Sequence, residues 1–390
     1  LDATAGVWFG GTTPDDSKGA LPYDTYDIEE LRCTANEGYQ LIKTSVIVSR
    51  DGKVYDFGTL TDVKASITTK AYDPIDGDSN IGMGNFLTIE DKVAYANLFP
   101  GRNYKLVAEL HDAKTGEVLY DGKTVEHTFT AQEPSGFEVI RIDGIDTFGF
   151  AGKTITVYEK LYDEGGSLIA KHTDKDDVNQ QVTVIVPEIG TTATDGADGD
   201  KLVSTDDAAT VVDTVHYKNL IPGRSYALVG ALFVKKTAED GEVTGDVLTV
   251  DGAPVVSYTT FTPETADGDA EVTFTFDSLA LKDGTQLVAA EVLFGIPLEP
   301  SDLTEPDADA LLELMENAED VSTFLAKHFD IEDLGQTVTI KNPKIATTAL
   351  DGIDNDKNVV TDSETVIVDT VEYHNLVPGK EYTLKGSMQV

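Results

Sequence analysis

The sequence predicts an all-β protein built from tandem β-domains, one of them interrupted by a short helical insertion. Three observations predict it. A long segment pattern recurs three times along the chain. Each recurrence holds runs of alternating apolar and polar residues around an Asn-Leu-x-Pro-Gly turn. The 34 glycines, with abundant Asp and Asn, supply the turns that many short strands need. At 390 residues the chain exceeds one ordinary core, so roughly two to four domains are expected. Forty per cent hydrophobic residues, including 15 Tyr and 15 Phe, can fill those cores.

Residues 1–63 lie outside the repeat. "GALPYDTYDIEELRC" and "YQLIKTSVIVSRDGKVYDFGTL" alternate like strands around an Asp-Gly turn, so this segment reads as the tail of a different β-domain. From there three segments align without gaps: "ITTKAYDPIDGDSN" from Ile67, "IGTTATDGADGDKL" from Ile189 and "IATTALDGIDNDKN" from Ile345. They share I-x-T-x-A-x-D-x-x-D-x-D and place Thr69, Thr191 and Thr347 alike. Twenty-two residues after each threonine comes D-x-V-x-Y-x-N-L-x-P-G-x-x-Y-x-L, from Asp91, Asp213 and Asp369. The Val/Tyr alternation is a strand, Asn-Leu-x-Pro-Gly a turn, and Tyr-x-Leu the start of the partner strand.

Two further blocks occur in the first two copies. "TITVYEKL" with Glu159 matches "QLVAAEVL" with Glu291, and "KHTDKDDVNQQVTV" matches "KHFDIEDLGQTVTI". In the latter a histidine stands eight residues before a glutamine, His172 to Gln180 and His328 to Gln336. The expected division is 1–63, 64–187, 188–343 and 344–390, the last a truncated third copy. The second copy is longer because Glu291 to His328 spans 37 residues against 13 for Glu159 to His172. The extra length, about 297–326, contains Leu311, Leu312, Leu314 and Met315 between acids, which predicts an amphipathic helix starting near Asp307 and packing on a sandwich edge.

With 29 basic and 70 acidic residues the formal charge is 29 − 70 = −41, a surface that repels phosphate backbones and anionic lipid. Nucleic-acid partners and membrane binding are therefore not expected. Cys33 is the only cysteine, which rules out an intramolecular disulfide. No apolar run is long enough to span a bilayer. The chain opens without a signal-like segment and stops within a repeat, so it reads as an internal piece of a longer protein.

The recurring polar set is Thr, Asp, Glu, His and Gln. Taken singly, each residue reads as an ordinary strand or turn residue. Glu159 and Glu291 stand out, because each sits at strand spacing among apolar neighbours, where an inward carboxyl must be neutralised or paired. Two chemical readings compete. In one, Thr, His and an acid form a hydrolase triad, but no glycine-rich oxyanion elbow accompanies the threonine. In the other, the Thr hydroxyl attacks the side-chain amide of the Gln and ammonia leaves, which explains why Gln travels with His.

The I-x-T-x-A start, the "VYE"/"AAE" segment and the His-x7-Gln end resemble the Thr–Gln ester-bond (VaFE repeat) domains of Gram-positive surface adhesins, over roughly residues 64–390. The resemblance implies immunoglobulin-like β-sandwiches in which Thr on the first strand joins Gln on the last. The implied crosslinks are Thr69–Gln180 and Thr191–Gln336. Asp91 with Glu159, and Asp213 with Glu291, are the implied supporting acids, and His172 and His328 the bases. The implied role is an extracellular, cell-wall-anchored stalk that crosslinks itself once and is not an enzyme. Its partners would be other domains of the same surface protein, with ligand binding left to a tip domain elsewhere.

Two departures stand out: Ala290 replaces the aromatic before Glu291, whereas Tyr158 retains one, and "NQQV" offers Gln181 beside Gln180. Gln180 is preferred because it aligns with Gln336. Residues 1–63 resemble the end of a Cna-B-type pilin domain, with Glu30 at the position of that family's assisting glutamate and Asp62 near its usual Asn. No isopeptide bond is inferred, because the lysine would lie upstream. No cofactor or metal is expected. The alternative function is a calcium-rigidified module using the repeated D-x-x-D-x-D, including Asp73, Asp76 and Asp78, although the fixed Glu and Gly of an EF-hand loop are missing.

Overall fold

The computed structural model describes residues 23–49, 55–296, 307–359 and 363–389. They divide into two compact units. The first holds the chain up to Ile81 with Asn85–Asp146 and Gly152–Val184, and the second holds the remainder.

In the first unit, Asp24–Glu29 and Lys43–Val48 pair antiparallel, as their alternation predicts. The expected strand over Tyr55–Leu60 does not form, because Gly58 adopts φ +62° and its N–H bonds Asp56 Oδ1 in a local turn. The Asp-Gly turn at 51–52 lies outside the described residues.

The first copy is a β-sandwich. Ser66–Tyr72, Leu87–Ala96 and Gly136–Ile145 form a three-stranded antiparallel sheet with Leu87–Ala96 in the centre. The facing sheet runs Asn80–Ile81, Gln181–Val184, Thr154–Asp163, Asn103–Asp112, Thr124–Thr130, and Leu168–His172 also pairs with Thr154–Asp163. Side-chain alternation fixes the core, since residues two apart share a face. Leu87, Ile89, Asp91, Val93 and Tyr95 all point inward from one strand, and Ile155, Val157, Glu159 and Leu161 from another.

The second unit repeats this plan with Glu188–Asp195, Ala209–Lys218 and Gly268–Phe276 against a sheet centred on Tyr226–Thr237 and Gln286–Gly295. The insertion contains the expected helix, Ala308–Glu316, with Asp307 capping it through Ala310 N at 2.8 Å. Residues 297–306 of the insertion lie outside the described residues. The helix packs on the sheet's outer face, over the edge strand Val256–Phe261 and the strands beside it. Leu311 joins Ala227, Val229, Val292 and Phe294 in one apolar cluster. The reason is in the strand: Tyr226–Leu232 and Leu287–Gly295 are buried on both faces, and such strands need cover on both.

The third copy presents Lys344–Asp351 paired with Ile367–His374 in the register of the other copies, with Ala349 opposite Asp369 as Ala193 is opposite Asp213.

The shared motifs have physical causes. In Asn-Leu-x-Pro-Gly, Asn97, Asn219 and Asn375 adopt φ of 64°, 62° and 57°, and Gly101, Gly223 and Gly379 are also left-handed. Each Asn side chain then holds the carbonyl of the segment entering its copy, Lys64, Val186 and Asn342 respectively. The following Tyr closes the corner, its hydroxyl accepting the N–H of Phe99, Ile221 or Val377 at 2.8–3.0 Å. The repeated aspartates form a ladder of turns. In all three copies the first, second and third Asp side chains each accept an N–H two residues on, as Asp195, Asp198 and Asp200 do for Ala197, Asp200 and Leu202.

Replacing Tyr226 by Phe leaves the buried Ile221 N–H without its acceptor. Urea unfolding of the second copy should show a loss of about 1–3 kcal/mol.

Candidate functional site

In each complete copy the inward alternation of three strands brings the polar set together in the core. Thr69 is 6% exposed, and Asp91, Glu159 and Gln180 are fully buried. Thr191 is likewise 6% exposed, with Asp213, Glu291 and Gln336 fully buried. Pairing in the larger sheet sets Glu159 opposite His172 and Glu291 opposite His328. Thr347 and Asp369 keep the corresponding register on the third copy's hairpin but are exposed.

The hydroxyl of Thr69 lies 3.2 Å from His172 Nδ1, and that of Thr191 lies 3.3 Å from His328 Nδ1. The other ring nitrogen faces a carboxylate that sequence reading missed: His172 Nε2 is 3.1 Å from Asp177 Oδ2, and His328 Nε2 is 3.8 Å from Asp333 Oδ2. Backbone and side-chain hydrogen bonds from Asn179, with the charge of His172, hold Asp177 below the usual carboxylate range, so it accepts. In the first copy an acceptor 3.1 Å from Nε2 favours the tautomer protonated there, with Nδ1 facing the threonine hydroxyl. The signal was available as H-x4-D in both copies, hidden among many acids. The same carboxylates shape the turns that deliver the glutamines, accepting from Asn179 N at 2.9 Å and Gly335 N at 2.6 Å.

Gln180 ends a single 3-10 turn, Val178–Gln180, and the last strand begins at Gln181; Gln336 likewise precedes the strand Thr337–Lys341. Both therefore sit just before the last strand, not on it. Gln180 is buried whereas Gln181 is half-buried and donates to Lys175 O. The amides are oriented by their surroundings. Their oxygens accept from Asp174 N and Asp330 N, each at 3.2 Å. The Gln180 nitrogen lies 3.2 Å from Glu159 Oε2, 2.7 Å from Val157 O and 3.0 Å from His172 O, while the Gln336 nitrogen donates to Thr191 Oγ1 at 2.9 Å. In the first copy Glu159 lies at the amide nitrogen, because a carboxyl oxygen attracts N–H and the amide oxygen already has a main-chain donor.

The acids enter from opposite sheets and meet. As carboxylates, both oxygens of Asp91, Asp213 and Glu291, and Oε1 of Glu159, would be buried without a donor. A proton held within each pair would be the missing donor. Burial, then hydrogen bonding and charge from Asp91, push Glu159 well above the ordinary range, against the pull of Gln180 and Thr69. Burial likewise pushes Glu291 well up, with Asp213 adding to it. Asp91 and Asp213 are raised by burial and drawn back chiefly by the hydrogen bond from the glutamate. These shifts favour the protonated form within each pair, with the glutamate the stronger claimant.

The residue before each glutamate points to the other face of its sheet. Tyr158 stacks on His111 there at 4.1 Å, and Ala290 is buried under strands whose outer face the helix covers. Loss of the ring at Ala290 therefore leaves the site itself unchanged. In the N-terminal segment, Glu30 accepts from Asn36 Nδ2 at 2.7 Å and Ile42 N at 3.1 Å. Cys33 is exposed and unpaired with another cysteine. Among the described residues, no helix is long and apolar enough to cross a membrane.

A family model described as a T-Q ester bond containing domain matches residues 65–184, 187–340 and 343–389. No curated protein matches the chain. Among solved structures, the chain is similar to a bacterial adhesin from Mobiluncus mulieris containing intramolecular disulfide, isopeptide and ester bond cross-links. One crystal form is 13% identical, covering 80% of this chain and 93% of that one, with a TM-score of 0.27. The other is 15% identical over 79% and 92%, also at 0.27. Red sea bream transglutaminase is 14% identical over 71% and 31%, at 0.24.

An acid kept neutral by the fold gives a defined pH dependence. In a Thr69→Ala, Thr191→Ala chain, folded Glu159 and Glu291 keep protons that the unfolded chain releases near 4.5. Stability from this source is complete below about that pH and is lost as pH rises through the raised folded values. Melting temperature should fall over that range, and Glu159→Gln with Glu291→Gln should flatten the fall; an identical slope would show that the glutamates are ionised when folded.

Proposed function

The chain belongs to the T-Q ester bond domain family, and from that premise we propose that its two complete copies each close an ester between threonine and glutamine, Thr69 to Gln180 and Thr191 to Gln336. The observation that carries the reading is the convergence, twice over, of one buried geometry: a Thr hydroxyl against His Nδ1, a fully buried Gln amide beside it, and an acid pair holding a proton.

The steps follow from the atoms. His172 Nδ1 takes the hydroxyl proton as Thr69 Oγ1 attacks Gln180 Cδ, and Asp177 steadies the imidazolium through Nε2. Charge building on the amide oxygen is met by the Asp174 N–H. The C–N bond breaks, the nitrogen beside Glu159 takes up the proton and leaves as ammonia, and the carbonyl carbon keeps the threonine oxygen. His328, Asp333, Asp330 and Glu291 act alike for Thr191 and Gln336. Folding supplies the effective concentration that an alcohol needs against a primary amide. Each copy reacts once, so the chain is its own substrate and not an enzyme. The enclosed core then keeps water from the ester.

The consequence is mechanical. A covalent tie between the first strand and the turn leading into the last carries tension that would otherwise unzip the sandwich, and it replaces the disulfides that one cysteine cannot make. We extend the proposal to a stalk of a cell-wall-anchored adhesin outside the cell, with units 1–63, 64–187, 188–343 and 344–390, ligand binding lying in another part of the protein. Tandem repetition and the −41 charge support that extension. The calcium reading is less favoured, because among the described residues only the second copy brings its ladder together, with oxygens of Asp195, Asp198 and Asp200 within 4.8 Å of one another, and in every copy one oxygen of each aspartate already accepts a backbone N–H.

Intact mass of the denatured chain should be short by two ammonias, and Thr69→Ala or Thr191→Ala should each restore one. A mass equal to the plain sequence would end the reading. Gln336→Ala should also lower the second copy's stability by about 4–5 kcal/mol, the scale of closing a loop of this length, and sharpen its proteolysis.

A further inference from the structure

One cation, Lys201, stands beside the second site where the first copy has Ser79. Lys201 lies just before the strand Leu202–Ser204, at the position occupied by Ser79 in the first copy and Lys357 in the third. Its ammonium is part-buried and donates to two main-chain carbonyls, that of Gly335 at 2.6 Å and that of Ala193. Ala193 is two residues beyond Thr191 on the same strand, and Gly335 immediately precedes Gln336. A third link joins the same two residues, Ala193 N to Gly335 O at 3.0 Å. Lys201 therefore ties the strand carrying the nucleophile to the turn carrying the electrophile.

The reacting groups differ between copies in the sense this tie predicts. In the second copy the Gln336 nitrogen donates directly to Thr191 Oγ1 at 2.9 Å. In the first copy the Gln180 nitrogen is engaged by Val157 O, His172 O and Glu159. Burial lowers the ammonium's pKa, while the charges of Asp213 and Asp333 oppose that, placing both carboxylates in its neighbourhood.

Resting on the ester reading above, we propose that Lys201 is a positioning residue for ester formation in the second copy, holding Gln336 against Thr191 by bridging Ala193 O and Gly335 O. It touches neither reacting group. Its effect is on the geometry in which they meet, and small displacements of reacting groups cost large factors in rate.

The test is cell-free synthesis of the full chain with mass and peptide mapping at timed intervals, so that each crosslink is followed separately. Lys201→Met should slow closure of Thr191–Gln336 about tenfold and leave Thr69–Gln180 unchanged, and Lys201→Arg should restore most of the rate. The same Lys201 variants in a Thr191→Ala chain should melt together, which separates positioning from loss of fold. Ser79→Lys should speed closure of the first copy, a gain that general loosening does not produce. Normal closure of both copies in Lys201→Met, or slow closure that Arg does not rescue with no gain from Ser79→Lys, overturns the positioning role while the ester reading stands. A wild-type chain that loses no ammonia from either copy overturns both.

Discussion

The burial of two facing carboxyl groups inside each sandwich is the constraint on which the rest depends. Two carboxyl groups arrive from opposite sheets at inward positions otherwise filled by Ile, Val and Leu, and water does not reach them. Two ionised acids there would leave up to four oxygens without donors and place like charges together. Holding a proton resolves both problems and leaves an acidic, dry pocket beside a primary amide. The fold thus creates a chemical environment that none of these residues has in water.

Around that pocket the division of labour follows from strand geometry. Alternation sets Thr, Asp and Glu inward, cross-strand pairing sets His opposite Glu, and an Asp-capped turn delivers Gln. The carboxylates of Asp177 and Asp333 face the imidazole, at 3.1 and 3.8 Å, and also accept from the turn, so histidine and glutamine are placed around one group. That economy explains why the His-to-Gln spacing is the same in both copies while the length before the histidine differs by 24 residues. The insertion is absorbed on the sheet's far face by the helix, where it covers apolar strand residues and leaves the site side alone.

The copies also show how the same sequence device serves structure in one place and chemistry in another. Aspartates of the D-x-x-D-x-D ladder are spent on backbone N–H groups, and those in the core strands face a buried glutamate. Asn-Leu-x-Pro-Gly-x-x-Tyr combines two left-handed positions with a tyrosine that closes the corner, and its asparagine fastens the incoming segment. These are independent of the reactive set and are present in the third copy, where Thr347 and Asp369 are exposed.

By itself the sequence determined the repeat, the all-β class, the helix start at Asp307, and the members Thr, Asp, Glu, His and Gln, because periodicity and fixed spacing are properties of the chain. It did not determine the helix's seat, which depends on which sheet face lies uncovered. Nor did it fix the Tyr55–Leu60 segment, where a local Asp–Gly turn outweighs strand-like composition. Asp177 and Asp333 were invisible among 70 acids until their distance to a ring nitrogen set them apart. The orientation of the Gln amides and the bridge made by Lys201 belong wholly to the tertiary structure. Both depend on main-chain donors and carbonyls, which every residue carries and only folding places.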